Sequence, residues 1–293
     1  LDRRTLLLAA LAAPALGGCA LGPEPDHTGA DAPSAAPLAR PARVAWVLGS
    51  GGPRGFVHVG VVAALAELGC KPDLIVGASV GALVGVLLAA GRTATELERL
   101  ALDLQPWQLA RWQPGGDAET WSGRPLAAFI NEQTAGRPLE ALALPVACTV
   151  QRLRDGATVA FTRGNAGIAV QAAAAVEGQL APVRILGERY ADADLRTPLP
   201  VRLARSLGAQ RVLAVDCSAH EDKAPPGTER WREGDLRKRA LTQPDAIQAD
   251  LLLHPDIGYY ASISREYRER LIAIGRRETL AQAAALRALH AAG

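Results

Sequence analysis

Ser79 stands in Gly77-Ala78-Ser79-Val80-Gly81, directly after the apolar run Leu74-Ile75-Val76 and directly before Ala82-Leu83-Val84-Gly85-Val86-Leu87-Leu88. A serine at a strand-to-helix turn has the geometry of a nucleophile elbow, where small flanking residues tolerate a strained backbone and leave the hydroxyl exposed. Upstream, Gly49-Ser50-Gly51-Gly52-Pro53-Arg54-Gly55 again joins an apolar run to an amphipathic one. Glycine lets backbone amides approach a ligand closely, and the start of the following helix adds positive potential. The loop lacks the Gly-Lys-Ser/Thr ending of a P-loop. A nucleophile and an amide-rich loop on neighbouring turns point to acyl transfer, in which serine needs a base to take its proton and donors to hold the oxyanion.

Two sources of the base are open. A Ser-His-Asp carboxylesterase would draw on a histidine downstream of the serine, and His220, His254 and His290 lie there. A carboxylate could instead act directly, and the stretch Tyr190-Ala191-Asp192-Ala193-Asp194-Leu195-Arg196-Thr197-Pro198-Leu199-Pro200 supplies one.

That stretch resembles the segment of patatin-like phospholipases in which an Asp opens a tight turn and is the sole partner of the serine. Gly51 to Gly55 resembles the glycine-rich oxyanion loop of the family and Gly77 to Gly81 its elbow, in the same order. The similarity continues through Leu139-Glu140-Ala141-Leu142-Ala143-Leu144-Pro145-Val146 and Ala181-Pro182-Val183, and it covers residues 43–293. The resemblance implies a three-layer α/β fold with a mainly parallel central sheet flanked by helices. It implies Ser79 as nucleophile, Asp192 as base, and an oxyanion hole from Gly51, Gly52, Arg54 and Gly55, with Gly77 and Gly81 shaping the elbow. A phospholipid or lysophospholipid ester is the implied substrate, with no metal or other cofactor.

The chain also departs from the family. Asp192-Ala193-Asp194 replaces Asp-Gly-Gly or Asp-Gly-Ala; Ala193 disfavours a positive φ, and Asp194 sets a second carboxylate beside the base, which would raise its pKa. Ser50 stands where Gly is more common, and Glu177 where a Pro often precedes Gly178. A catalytically impaired lipid-binding lipoprotein is therefore a second alternative to the dyad hydrolase. His58, close behind the loop, is expected to pack and hydrogen-bond without taking part in catalysis.

The elements that must hold these groups alternate. Residues 44–48, 74–76, 145–150, 158–161, 184–186 and 211–215 read as strands; residues 56–68, 82–90, 95–102, 125–133, 167–176, 199–207 and 260–291 read as helices. Strand, helix, strand, helix implies a parallel sheet with right-handed crossovers. Trp107, Trp112 and Trp121 lie among Gln, Pro and Gly, where they suit a membrane contact, the rim of an acyl pocket or a cap on the core. Residues 220–243 read as a solvated polar excursion. Cys70, Cys148 and Cys217 lie in or beside apolar runs and are expected as unpaired buried thiols.

At 49% hydrophobic and 21% charged residues, the 293-residue chain has the composition of a globular domain, and a net charge of +2 gives no electrostatic case for nucleic acid. Arg3-Arg4 precedes an apolar stretch at 6–16 that is too short to span a bilayer and suits a signal h-region. Leu16-Gly17-Gly18-Cys19 resembles a lipobox, and the Arg pair resembles a twin-arginine export signal. The expected organisation is a lipoprotein signal peptide at 1–18, lipidated Cys19 on a disordered tether over 19–42, and the hydrolase domain over 43–293. Ala20 after Cys19 fits an exported, membrane-anchored lipoprotein on the periplasmic face of an outer membrane.

Overall fold

Short apolar runs with β-branched residues pack as strands buried on both faces, and longer runs with helical periodicity cover them. The computed structural model describes residues 24–113 and 121–291; the Arg3-Arg4 pair, the stretch at 6–16 and Cys19 lie outside them. In chain order, β1 (Asp26–His27) and β2 (Val44–Leu48) lead to α1 (Phe56–Glu67), β3 (Leu74–Ala78), α2 (Val80–Ala89) and α3 (Ala94–Asp103). The pair β4 (Arg111–Trp112) and β5 (Trp121–Ser122) precedes α4 (Arg124–Gln133), β6 (Val146–Arg152), β7 (Ala157–Phe161), α5 (Ala166–Ala173), β8 (Val183–Ile185) and β9 (Glu188–Asp192). Then follow α6 (Val201–Ser206), β10 (Arg211–Val215), α7 (Arg232–Ala246), β11 (Leu251–Leu253), α8 (Arg265–Ala281) and α9 (Ala283–Ala291).

Strands β11, β10, β2, β3 and β6 lie side by side and parallel, so the sheet is mainly parallel, as expected. Along β2, Val44, Trp46 and Leu48 face one side with Val59, Val62 and Leu65 of α1. Ala45 and Val47 face the other, with Val201 and Ala204 of α6. This period-2 alternation between two apolar layers makes the three-layer α/β architecture.

One feature of the register positions the site. Strand β6 pairs with β7 along one edge, Cys148 opposite Phe161 through Arg152 opposite Ala157. Its other edge is shared: β3 runs parallel to the first half, with Ala78 opposite Thr149, and β9 runs antiparallel to the second half, with Asp192 opposite Val150. The carboxyl ends of β3 and β9 therefore meet head to head on neighbouring rungs of the same strand. Ser79 follows one end and Asp192 closes the other.

The structure adds strands β4, β5, β9 and β11, which the sequence did not lead us to expect, and it differs from the expectations in three longer stretches. From residue 24 to 41, where a disordered tether is expected, the chain lies along the domain. There β1 pairs in parallel with β8, Ser34 N donates to Arg163 O (3.1 Å), and the Ala36 amide donates to Thr162 Oγ1 (2.9 Å). Its Pro and Ala content hid backbone donors that complete the sheet edge. The excursion at 220–243 contains most of α7, a helix with a polar exposed face. The helix expected over 260–291 is two helices: Ser264 caps α8 by accepting from the Tyr267 amide (3.2 Å), and Gln282 (φ −98, ψ 16) breaks the chain before α9.

Candidate active site

Ser79 has φ 53 and ψ −124, a left-handed backbone that costs a non-glycine residue energy and is held only by its surroundings. Those surroundings are close-packed backbone. A Cβ on Gly81 would fall 2.0 Å from Leu48 O, and one on Gly77 would fall 2.4 Å from Ala82 Cα, so only glycine lets the elbow close. The Ser79 carbonyl accepts the Ala82 amide (2.9 Å) and starts α2, placing the positive end of that helix at the serine. Ser79 is 6% exposed and reaches two adjoining cavities.

Asp192 is 3% exposed. Its Oδ1 accepts the Asp194 amide (2.8 Å), while Oδ2 is buried with no formed hydrogen bond among the described residues. Burial pushes its pKa up to about 7; the neighbouring Ser79 hydroxyl and Lys238 work against that rise, and the Asp194 charge adds to it. The Ser79 hydroxyl favours the carboxylate form, while Oδ2 keeps no formed hydrogen bond among the described residues. Ala193 is absent from the residues with positive φ, so the turn accommodates alanine without the strain expected there.

In the glycine loop, Gly52 has φ +53 and opens a short 3₁₀ turn over Gly52–Gly55. The amides of Gly51 and Gly52 take part in no backbone bond among the described residues and lie beside Ser79 on the wall of the polar cavity. Arg54 does other work: its amide donates to Gly51 O (3.0 Å) and its Nη2 to Tyr259 O (2.7 Å). It shapes the loop, and its amide is not free to meet an oxyanion. Gly55 packs on Val80, whose Cγ1 would lie 2.3 Å from a Cβ. Beneath the loop, His58 Nε2 donates to Gly49 O (2.8 Å), and burial lowers its pKa to about 4, so the ring is neutral and acts as a structural donor.

The two sequence departures at Ser50 and Asp194 prove to be one feature. Ser50 Oγ donates to Asp194 Oδ1, and Lys238 Nζ from α7 donates both to Asp194 Oδ1 and to Ser50 Oγ (2.6 Å). Lys238 escaped the sequence reading because it sits between Arg237 and Arg239 in a polar stretch, where spacing gives no sign that it turns inward.

None of the histidines considered as a base bonds to Ser79 or Asp192. His220 and His254 stack on each other with ring centroids 3.9 Å apart, and His254 Nε2 bonds to Ser218 O (3.0 Å). His290 accepts from the Trp46 indole (3.0 Å).

Two cavities meet at Ser79, Gly52 and Pro53. One, about 310 Å³, is apolar and is lined by Val80, Leu83, Leu87, Leu97, Leu100 and Leu104 among others. The second, about 380 Å³, is polar and holds Asp192, Asp194, Lys238 and Arg239. Trp107, Trp112 and Trp121 are 68%, 56% and 46% exposed, which excludes a role as caps on the core. Trp112 pairs across β4 and β5 with Trp121, and Pro106, beside Trp107, lines the apolar cavity. Cys70, Cys148 and Cys217 are buried free thiols, and burial alone lifts Cys148 to about 12.

A family model described as patatin-like phospholipase matches residues 46–205. An uncharacterised NTE family protein of Mycobacterium tuberculosis is 32% identical over 196 residues, 64% of this chain and 54% of that protein. Lysophospholipase NTE1 of Coccidioides immitis is 29% identical over 192 residues, 63% of this chain and 12% of that protein. The chain thus spans about half the length of the mycobacterial relative. Among solved structures, VipD from Legionella pneumophila aligns over 89% of this chain and 71% of its own, at 11% identity and a TM-score of 0.49.

Proposed function

The chain belongs to the patatin-like phospholipase family, and from that membership we propose that it is a serine hydrolase of lipid carboxylic esters that works through a Ser79–Asp192 dyad. The observation that carries the reading is the buried carboxylate of Asp192, raised to about 7, with one oxygen unpartnered and the Ser79 hydroxyl beside it. A base poised near neutral pH is what proton abstraction from a hydroxyl requires.

In the proposed cycle, Ser79 Oγ attacks the ester carbonyl while Asp192 takes its proton. The Gly51 and Gly52 amides, with the α2 terminus, stabilise the oxyanion; one such donor typically accounts for about 3 kcal/mol of transition-state stabilisation. Collapse breaks the ester C–O bond, and Asp192 returns its proton to the leaving alcohol. Water, deprotonated in turn by Asp192, then attacks acyl-Ser79, and the fatty acid leaves as Ser79 regains its proton.

Among the described residues an apolar cavity and a polar cavity adjoin the serine, and room for one acyl chain beside one polar head supports a monoacyl lipid such as a lysophospholipid. One relative carries lysophospholipase in its name, which supports the same class. A fluorophosphonate should label the full chain at Ser79, located by peptide mass mapping, and turnover of monoacyl glycerophospholipids should exceed that of diacyl ones. Absence of labelling would overturn the hydrolase; faster turnover of diacyl substrates would overturn the substrate class. The resemblance of Leu16-Gly17-Gly18-Cys19 to a lipobox supports a further proposal, that Cys19 is lipidated and tethers the enzyme to a membrane. Cys19→Ser should then abolish radiolabelled palmitate incorporation in a bacterial host.

A further inference from the structure

The polar wall above the dyad is made by two segments far apart in sequence, the loop holding Ser50 and the turn holding Asp194, and one cation joins them. Lys238 Nζ reaches Ser50 Oγ at 2.6 Å and also contacts Asp194 Oδ1, to which Ser50 Oγ itself donates. The three groups form a closed triangle, with the Lys238 side chain 21% exposed and that of Asp194 33% exposed. The Ser50 amide donates to Pro198 O (2.8 Å), so the oxyanion loop is tied to the base segment by backbone as well.

We propose that Lys238 is a positioning residue of the active site. It clamps the oxyanion loop to the Asp192 turn and cancels the charge of Asp194, which would otherwise face the base uncompensated. The proposal rests on the dyad reading given above.

The other charged groups of the polar cavity are engaged elsewhere. Glu221 receives Arg239 (2.6 Å), Asp235 receives the Tyr259 hydroxyl, and Arg54 donates to Tyr259 O (2.7 Å). Lys238 is therefore the cation assigned to Asp194. The electrostatic directions agree, since Asp194 raises and Lys238 lowers the proton affinity of Asp192. The triangle also gives the two departures from the family pattern a common purpose. A carboxylate placed two residues after the base is tolerable when a lysine and a serine hydroxyl absorb its charge.

The test is the pH dependence of fluorophosphonate labelling at Ser79 for the wild type, Lys238→Met, Asp194→Asn, the double variant and Lys238→Arg. Lys238→Met should move the acid limb to higher pH by roughly one pH unit, and Asp194→Asn should move it to lower pH by a similar amount. The double variant and Lys238→Arg should return close to the wild-type limb. A purely structural role would lower the labelling plateau and leave the limb in place. Limbs that coincide with wild type, or that move in the same direction in both single variants, overturn the proposal. Because the two single variants are expected to move in opposite directions, either one decides the sign if the other fails to fold. Failure of the wild type to label contradicts the dyad itself, a separate outcome.

Discussion

At the residue scale, the active-site chemistry depends on burying a carboxylate whose removal from water is costly. Because burial raises Asp192 from its ordinary 3.8 to about 7, its carboxylate form, the proposed base, becomes the major form only above about pH 7. We therefore expect kcat/KM to rise with pH through an acid limb near 7. The same shift works against stability. Between about pH 4 and 7 the unfolded chain releases this proton while the folded one keeps it, so stability falls as pH rises across that window. Asp192→Asn, which mimics the protonated acid, should reduce turnover by about 10²–10⁴-fold. It should also raise Tm relative to wild type more at pH 8 than at pH 4 by differential scanning calorimetry; an equal difference at both values would contradict the raised pKa. Ser79 and Asp192 were legible because their neighbours in sequence announce them. The Asp194 environment was not, because its compensating lysine comes from a helix that passes for solvated surface.

At the element scale, the proposed dyad is brought together by strands meeting end to end. Strand β3 was legible from its apolar run. Strand β9, Glu-Arg-Tyr-Ala-Asp, was not: its Ala191 and Asp192 are buried while its first three residues are half-buried, so it shows no apolar run. Its long-range pairing with β6, Asp192 opposite Val150, and its hairpin with β8 make it a strand. Helices α1 and α8 show the same limit on sequence reading. A Cβ on Gly60 would fall 1.9 Å from Ile272 O and one on Gly275 2.3 Å from Val57 O, so the two helices touch backbone to backbone. Gly60→Val should therefore destabilise the fold by about 1–3 kcal/mol or more in urea unfolding. A loss below about 0.5 kcal/mol would mean that the helices can separate at little cost. From the same helix α8, Arg268 Nη1 donates to the carbonyls of Ala101 (3.0 Å), Leu102 (3.3 Å) and Leu104 (2.7 Å), closing the end of α3 at the cavity wall.

At the scale of the whole molecule, the parallel sheet collects the loop after β2, the elbow after β3 and the end of β9 at one edge, with an apolar cavity on one side and a polar one on the other. The alternation of strands and helices made this architecture legible. The cavities were not, since their lining comes from α2, α3 and loops whose apolar residues look like ordinary core. Leu83 lies one helical turn beyond Ser79 and lines the apolar cavity, so Leu83→Trp should shorten the space for an acyl chain. Turnover of long-chain monoacyl esters should fall about tenfold or more while acetyl or butyryl esters are spared; equal loss on both would place the chain elsewhere. The central claim is that the machine consists of Ser79 and Asp192 without histidine, and kcat/KM for a lysophosphatidylcholine tests it most directly. The variant with His220, His254 and His290 all changed to Ala should stay within about tenfold of wild type, with Ser79→Ala and Asp192→Asn down by at least about 10²-fold. A triple-histidine variant as inactive as Ser79→Ala, still folded by circular dichroism, would contradict it.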